Sequence, residues 1–298
     1  MKKYKYLIIG DIHENSNRQK AIKSAEDSII NKIKDKKFER IIFLGDLFDK
    51  KPTASERIRL AQFIKKLRKY CTGTIDFIIG NGRHTFEDGS IHEQDWMELC
   101  EDFTQQDELM CHNFRFGHYE VKGTKYINGY ESESKIEIDN NYTYLLGHIH
   151  SPSCSFNNVN YVGSIYKVSF SEINDTKRVA IIDTENNLEF LEIESRPMYE
   201  IELIASSGKV KIKGLKNIKE KDIDLKIKVH TDIMSLGEVN RALYKIKKKF
   251  NIEYYKEEIK IKEQKVDIPE DLNQNELLKK YCKDKKVDFN LIQKEIVK

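Results

Sequence analysis

Proline is scarce in this chain, with four residues in 298, and no stretch is a simple repeat. With 39% hydrophobic and 10% aromatic residues to bury, collagen-like, low-complexity and wholly disordered chains are excluded. No window approaches the roughly 20 apolar residues that a membrane span requires, so no membrane association is expected. The first apolar run, residues 6–9, is too short for the roughly 7–15-residue core of a secretory signal. It reads instead as a buried first strand. The five cysteines, Cys71, Cys100, Cys111, Cys154 and Cys282, are odd in number and no two stand at CxxC spacing. This argues against a disulfide framework or a thiolate zinc site, and leaves reduced thiols in a cytoplasm as the expectation.

The net charge of +3 conceals an asymmetry. Residues 196–298 carry 25 basic and 18 acidic side chains, and residues 1–195 carry 27 basic and 31 acidic ones. An acidic half suits cations and a basic half suits a polyanion, although a lysine-rich, solvated surface gives the same count.

Short apolar runs at residues 5–9, 40–44, 75–79 and 142–146 alternate with helical patterns near 18–36 and 55–70. Strand–helix alternation predicts βαβ units and a largely parallel sheet. After His150, runs at 158–162, 168–170, 178–183 and 188–193 predict a β-rich half packed against that sheet. Arg196-Pro197 marks a boundary. Strands at 199–204, 225–229 and 252–261 and a helix at 236–250 predict a small α+β domain over 196–266. Residues 267–298 read as a tail with two short amphipathic helices.

Five of the apolar stretches share an ending. Each closes on glycine followed by a metal-ligand type: Gly10-Asp11, Gly45-Asp46, Gly80-Asn81, Gly117-His118 and Gly147-His148. His13 and His150 add a second ligand type two residues beyond the first and last of these. Glycine permits a sharp exit and close backbone approach, and ligands of open α/β sheets bind beyond the carboxyl ends of the strands. Five such endings side by side would gather four histidines, two aspartates and an asparagine in one pocket. Each piece alone is as well explained by a turn or a hydrogen-bonded histidine; their conjunction is not. Histidine, carboxylate and amide donors without thiolate favour Mn, Fe or Zn. There are too many for one tetrahedral ion, but they suit two ions about 3.5–4 Å apart, clamping a phosphate. The residues alone therefore point to a two-metal phosphoesterase.

In this order the motifs Asp11-x-His13, Gly45-Asp46-x-x-Asp49, Gly80-Asn81, Gly117-His118 and Gly147-His148-x-His150 resemble the calcineurin-like metallophosphoesterases over roughly residues 4–195. The resemblance implies an α/β two-sheet sandwich flanked by helices. It implies one ion held by Asp11, His13 and His150, and another by Asn81, His118 and His148. Asp46 would bridge the two, and Asp49 would orient a histidine or its loop. The stretch 161–172 (YVGSIYKVSFSE) is similar to SbcD-type nuclease subunits, and Phe116-Gly117-His118-Tyr119-Glu120 to their compact phage versions. That narrower likeness implies a nuclease domain over 1–195, a capping, DNA-binding domain over 196–266 and a docking segment over 267–298. It also implies a homodimer and an SbcC/Rad-fifty-like SMC-type ATPase partner, in a bacterial cell or a phage-infected host.

One departure stands out. The family places a histidine directly after the motif asparagine, whereas this chain reads Asn81-Gly82-Arg83-His84. Either His84 loops back to serve the leaving group, or that role falls to His92, His112 or a metal-bound water. The lysines at 209, 211 and 213, alternating along a strand, and at 245, 247, 248 and 249, clustered on a helix, can contact phosphates without reading bases. They can equally be solvated faces. The expectation is a two-metal, Mn-dependent (Fe or Zn possible) DNA nuclease, a 3′–5′ exonuclease and single-strand endonuclease. The alternatives are a stand-alone phosphatase or phosphodiesterase, and a catalytically weakened DNA-end scaffold.

Overall fold

The computed structural model describes residues 1–80, 103–106, 108–262, 278–279 and 282–283. Among them the strands form three sheets. The first has the order β10–β9–β1–β2–β3–β4, built from β1 (Lys2–Ile9), β2 (Lys36–Phe43), β3 (Ile75–Ile78), β4 (Phe103–Gln106), β9 (Arg178–Asp183) and β10 (Leu188–Glu192). Strands β1 to β4 are parallel, while β9 runs antiparallel to β1 and to β10. The second contains β5 (Glu108–Cys111), β6 (Phe114–Gly117), β7 (Thr143–Leu146) and β8 (Val159–Tyr161), with β6, β7 and β8 parallel.

Two of these placements correct the sequence reading. The 142–146 run belongs to the second sheet rather than extending the first, whereas the 178–183 and 188–193 runs extend the first sheet antiparallel. Residues 168–170 are not a strand. Phe170–Glu172 is a 3-10 turn, closed by a capping box in which Ser169 and Glu172 exchange hydrogen bonds.

The sandwich follows from residue alternation. Along β1, Leu7 and Ile9 face one core and Tyr6 and Ile8 another, so the strand reads as one continuous apolar run, as strands covered on both faces do. The first core lies under α1 (Gln19–Ile33) and α2 (Ala54–Arg68). There Ile22, Ala25, Ile29 and Ile33 meet Leu60, Phe63, Ile64 and Leu67. The second core lies between the sheets, where Ile42 and Leu44 meet Phe114, Phe116 and Leu145. Helix α2 starts at a capping box of Thr53 and Glu56, and Glu56 also accepts from the Ser16 amide at 2.7 Å.

The third sheet has the order β12–β11–β13–β14, from β11 (Met198–Ser206), β12 (Lys209–Lys213), β13 (Asp222–Thr231) and β14 (Asn251–Ile261). Helix α3 (Leu236–Lys249) covers one face through Val239, Leu243 and Ile246. This unit is tied to the sandwich through β14 and β13. Asp224 is fully buried between Arg18 (2.7 Å) and Arg196 (3.2 Å), and Phe170 stacks on Tyr254 with ring centres 5.1 Å apart. Glu253 accepts from the amides of Lys20 and Ala21, satisfying donors that the first turn of α1 would otherwise leave open. Among the described residues no helix is long and apolar enough to cross a membrane.

Candidate metal centre

Parallel strands end on a common edge, and the edges of the two sheets meet. Asp11 follows β1 and Asp46 follows β2; His118 follows β6 and His148 follows β7. The glycine endings therefore face one another across the sandwich, three on the first sheet and two on the second, rather than standing in one row. This is what lets side chains far apart in sequence touch. Closeness demands the glycines: a Cβ on Gly147 would lie 2.6 Å from Asp11 Oδ1 and 2.8 Å from His118 Nδ1, and would collide with the Leu44 carbonyl. Gly45 also holds φ +100°, a left-handed conformation that glycine tolerates best. His13 (φ 47°), Asp46 (φ 39°) and His148 (φ 78°) sit in the left-handed region as well. Such strain persists where the surrounding structure imposes it, and it gathers at functional sites.

Asp11, His13 and His150 each offer one ligand atom, all within 4.8 Å of one another. His13 Nε2 and His150 Nε2 are 2.8 Å apart, and His150 Nε2 lies 3.8 Å from Asp11 Oδ2. Asp46 Oδ2 stands between the two sets of histidines, 3.9 Å from His13 Nε2 and 3.3 Å from His118 Nε2. His148 donates its backbone N–H to Asp11 Oδ2 at 3.1 Å, and its ring stands edge-on to that of His118 at 5.3 Å. Asp49 Oδ1 is 3.8 Å from His13 Nδ1, while Asp49 Oδ2 accepts from Asn15 at 2.9 Å.

The donor chemistry fits a cation. His118 Nδ1 is 2.6 Å from the Leu44 carbonyl oxygen, which can only accept, so Nδ1 carries the hydrogen. The Nε2 lone pair then faces the Asp46 carboxylate in a buried site without a well-directed hydrogen bond. Two electron-pair donors face each other stably only with a proton or a metal ion between them. Without metal the pocket holds a proton: burial opposes it, yet the Asp11 and Asp46 carboxylates push the His118 pKa up to about 10. The facing Nε2 atoms of His13 and His150 pose the same demand.

Two carboxylates outside the glycine-ended pattern also reach the histidines. Glu120 Oε1 accepts from His148 Nε2 at 2.9 Å. Glu172 Oε1 lies 3.5 Å from His150 Nδ1, and its Oε2 is paired with fully buried Lys177 at 2.6 Å. Burial opposes ionisation of Glu172, but His150 and Lys177 hold its pKa down at about 2. The Tyr166 hydroxyl donates to the His13 carbonyl at 3.0 Å. Glu120 stands two residues beyond His118, and Glu172 ends the 161–172 stretch, so a search for polar residues flanking the motifs would have found both.

Asn81, His84 and His92 lie outside the described residues. His112 sits in the exposed turn before β6, at the opposite end of that strand from His118, which removes it from the leaving-group role. Lys209, Lys211 and Lys213 are exposed on β12, the edge of the third sheet farthest from β14 and its contacts with the sandwich. Lys213 pairs with Glu202 at 2.7 Å. Lys245, Lys247, Lys248 and Lys249 are exposed at the end of α3, where Lys247 pairs with Glu257 at 3.1 Å and caps the Tyr255 ring.

The model of the calcineurin-like phosphoesterase superfamily domain matches residues 4–187, well over half of the chain. The chain belongs to this superfamily. Its members use divalent metals, and the Asp11, His13 and His150 group is a site that could hold one. Over 64 residues the chain is also 42% identical to the SbcD component of the nuclease SbcCD from Staphylococcus epidermidis. That match covers 20% of this chain and 17% of the relative. The matched region runs through both sheets of the sandwich as far as β9, stopping just before the edge strand β10, and members of the superfamily are hydrolases of phosphoester bonds.

Proposed function

We propose that the chain is a two-metal-dependent DNA nuclease, a 3′–5′ exonuclease and single-strand endonuclease. It would act as the nuclease subunit of a cytoplasmic DNA end-processing complex for repair and recombination. Its partners in this reading are a second copy of itself and an SbcC/Rad-fifty-like SMC-type ATPase. The observation that carries the reading is the meeting of Asp11 and Asp46 with four histidines at two facing sheet edges. The partial likeness to an SbcCD nuclease component supports DNA as the substrate, and so does the basic half beyond residue 195.

In this reading Asp11, His13 and His150 hold one ion, Asn81, His118 and His148 hold the other, and Asp46 bridges; Mn2+ is favoured over Fe2+ or Zn2+. Two such ions supply an activated water and neutralise charge on the leaving oxygen. The chain's own groups do the positioning. Leu44 fixes the His118 tautomer that offers Nε2, Asp49 steadies His13, and Glu172 steadies His150. Lys177 keeps Glu172 ionised, so the extra negative charge beside the site is matched. His84 is assigned to the leaving group. Lys209, Lys211, Lys213, Lys245, Lys247, Lys248 and Lys249 are assigned to the DNA backbone, with residues 267–298 as the docking segment for the ATPase.

The purified chain loaded with Mn(II) should degrade linear DNA, and Asp46→Ala should abolish this. Brisk turnover of small phosphomonoesters with no DNA cleavage would overturn the reading in favour of a stand-alone phosphatase. Metal and DNA binding with no turnover of any substrate would overturn it in favour of a DNA-end scaffold.

A further inference from the structure

The strand β6 delivers His118, and the chain does not return to the sheet until β7. Between them it folds a small hairpin whose arms are held by Tyr126 N–H to Tyr130 carbonyl (2.9 Å), Ser132 N–H to Thr124 carbonyl (2.8 Å) and a bridge between Lys125 and Glu131. Gly129 (φ 81°) turns the tip. The hairpin is anchored beneath by Thr124, fully buried, whose hydroxyl meets that of Tyr161 on β8 at 2.8 Å. Glu120 occupies the base of this hairpin. Its Oε1 accepts from the Tyr126 hydroxyl and from His148 Nε2, and its Oε2 accepts from the Ser132 hydroxyl. Its own carbonyl accepts from the Ser134 hydroxyl at 2.7 Å. A carboxylate spanned in this way has one orientation, and the imidazole that donates to it has one tautomer.

We infer that Glu120 is the positioning residue for His148: it locks the ring with Nε2 protonated, so that His148 presents Nδ1 to the metal centre, and it ties that ring to the hairpin. The inference rests on His148 being a ligand, as proposed above. It follows from the chemistry of the two groups. An ionised carboxylate can only accept, so the His148 hydrogen must be on Nε2. A metal takes the unprotonated nitrogen, which leaves Nδ1. Carboxylates on the far nitrogen of a ligating histidine typically change metal affinity 10–100-fold when removed. Glu120 therefore plays for one histidine of the pair the part that the Leu44 carbonyl plays for the other. The difference is that Leu44 belongs to the core, whereas Glu120 is held by a surface hairpin.

The test compares the full chain with Glu120→Ala, Glu120→Gln and Tyr126→Phe. Mn(II) binding is followed by electron paramagnetic resonance of the free ion, and metal-free melting is recorded alongside. Wild type should bind two ions. Glu120→Ala should retain one site and weaken the other at least tenfold, with little change in metal-free melting. Glu120→Gln, whose amide oxygen still accepts from Nε2–H, should recover most of that loss. Tyr126→Phe, which loosens the hairpin but leaves the carboxylate, should bind both ions nearly normally. Unchanged affinity for both ions in Glu120→Ala overturns the inference. So does an equal loss in Tyr126→Phe, which would make Glu120 a hairpin support. Fewer than two ions on wild type would overturn the two-metal reading itself, and is thereby told apart.

Discussion

Glu26 tests how α1 packs, and its effect can be worked through. It lies on the buried face of the helix beside Ile22 and Ile29, only 8% exposed, and lines with Arg59, Phe63 and Lys66 a cavity of about 250 Å3. Burial first, and then the neighbouring Glu14 carboxylate, push its pKa up to about 8, with Lys66 and Arg59 opposing only in part. An ordinary glutamate titrates at 4.5. Between these values the folded chain keeps a proton that the unfolded chain has released. Stability is therefore fully present below pH 4.5 and falls as pH rises toward 8, by about 1.4 kcal/mol per pH unit. Glu26→Gln removes this dependence without changing the side-chain volume. Its stability advantage over wild type should grow by about 3 kcal/mol between pH 5.5 and 8.0. Urea melts followed by circular dichroism at a series of pH values read this directly, and the difference between the two proteins cancels every other titrating group. Parallel stability curves for the two proteins would refute the reasoning, because they would mean that Glu26 is ionised in the native chain at pH 5.5.

Two further perturbations address the metal centre and the joint between the units. Gly147→Ala should cost about 1–3 kcal/mol of stability, as overpacking does, because its Cβ meets Leu44, Asp11 and His118 at once. It should also lower Mn(II) affinity by more than tenfold in a calorimetric titration; a variant that binds metal normally would show that the sheet edges stand farther apart than this. Asp224→Asn leaves buried Arg18 and Arg196 without their shared carboxylate. Breaking a buried ion pair in this way costs about 3–5 kcal/mol, so chemical denaturation should show a loss of that size, and a loss under 1 kcal/mol would mean that the pair is solvated.

The strands were legible because parallel strands covered on both faces have no polar side to interrupt them, and 5–9, 40–44 and 75–79 all carry that mark. Which sheet each strand joins was not legible in the glycine endings, because Gly10-Asp11 and Gly147-His148 have the same local form on opposite sides of the sandwich. The connections held that information. Links that each contain a 15-residue helix carry the chain from β1 to β2 and from β2 to β3 within one sheet, whereas a tight turn joins β5 to β6 and a polar hairpin joins β6 to β7 in the other. Residues 168–170 misled because Val168-Ser169-Phe170 alternates like a strand, while Ser169 and Glu172 already had the spacing of a capping box. Asp11, Asp46, His118 and His148 were legible because each follows a glycine whose missing side chain lets neighbours approach, and His13 and His150 because each stands two residues beyond such a position. Glu120 and Glu172 need no such glycine, since they approach by side chain alone and from behind the histidines; their places beside the motifs mark them as candidates, but which histidine each one meets is set by the packing. Packing likewise pairs Asp224 with Arg18, 206 residues away. A motif records where the backbone must bend to admit a ligand; of the groups that hold the ligand residues steady, Asp49 lies within a motif, whereas the pairing of Glu120 with His148 and of Glu172 with His150 is set by the packing.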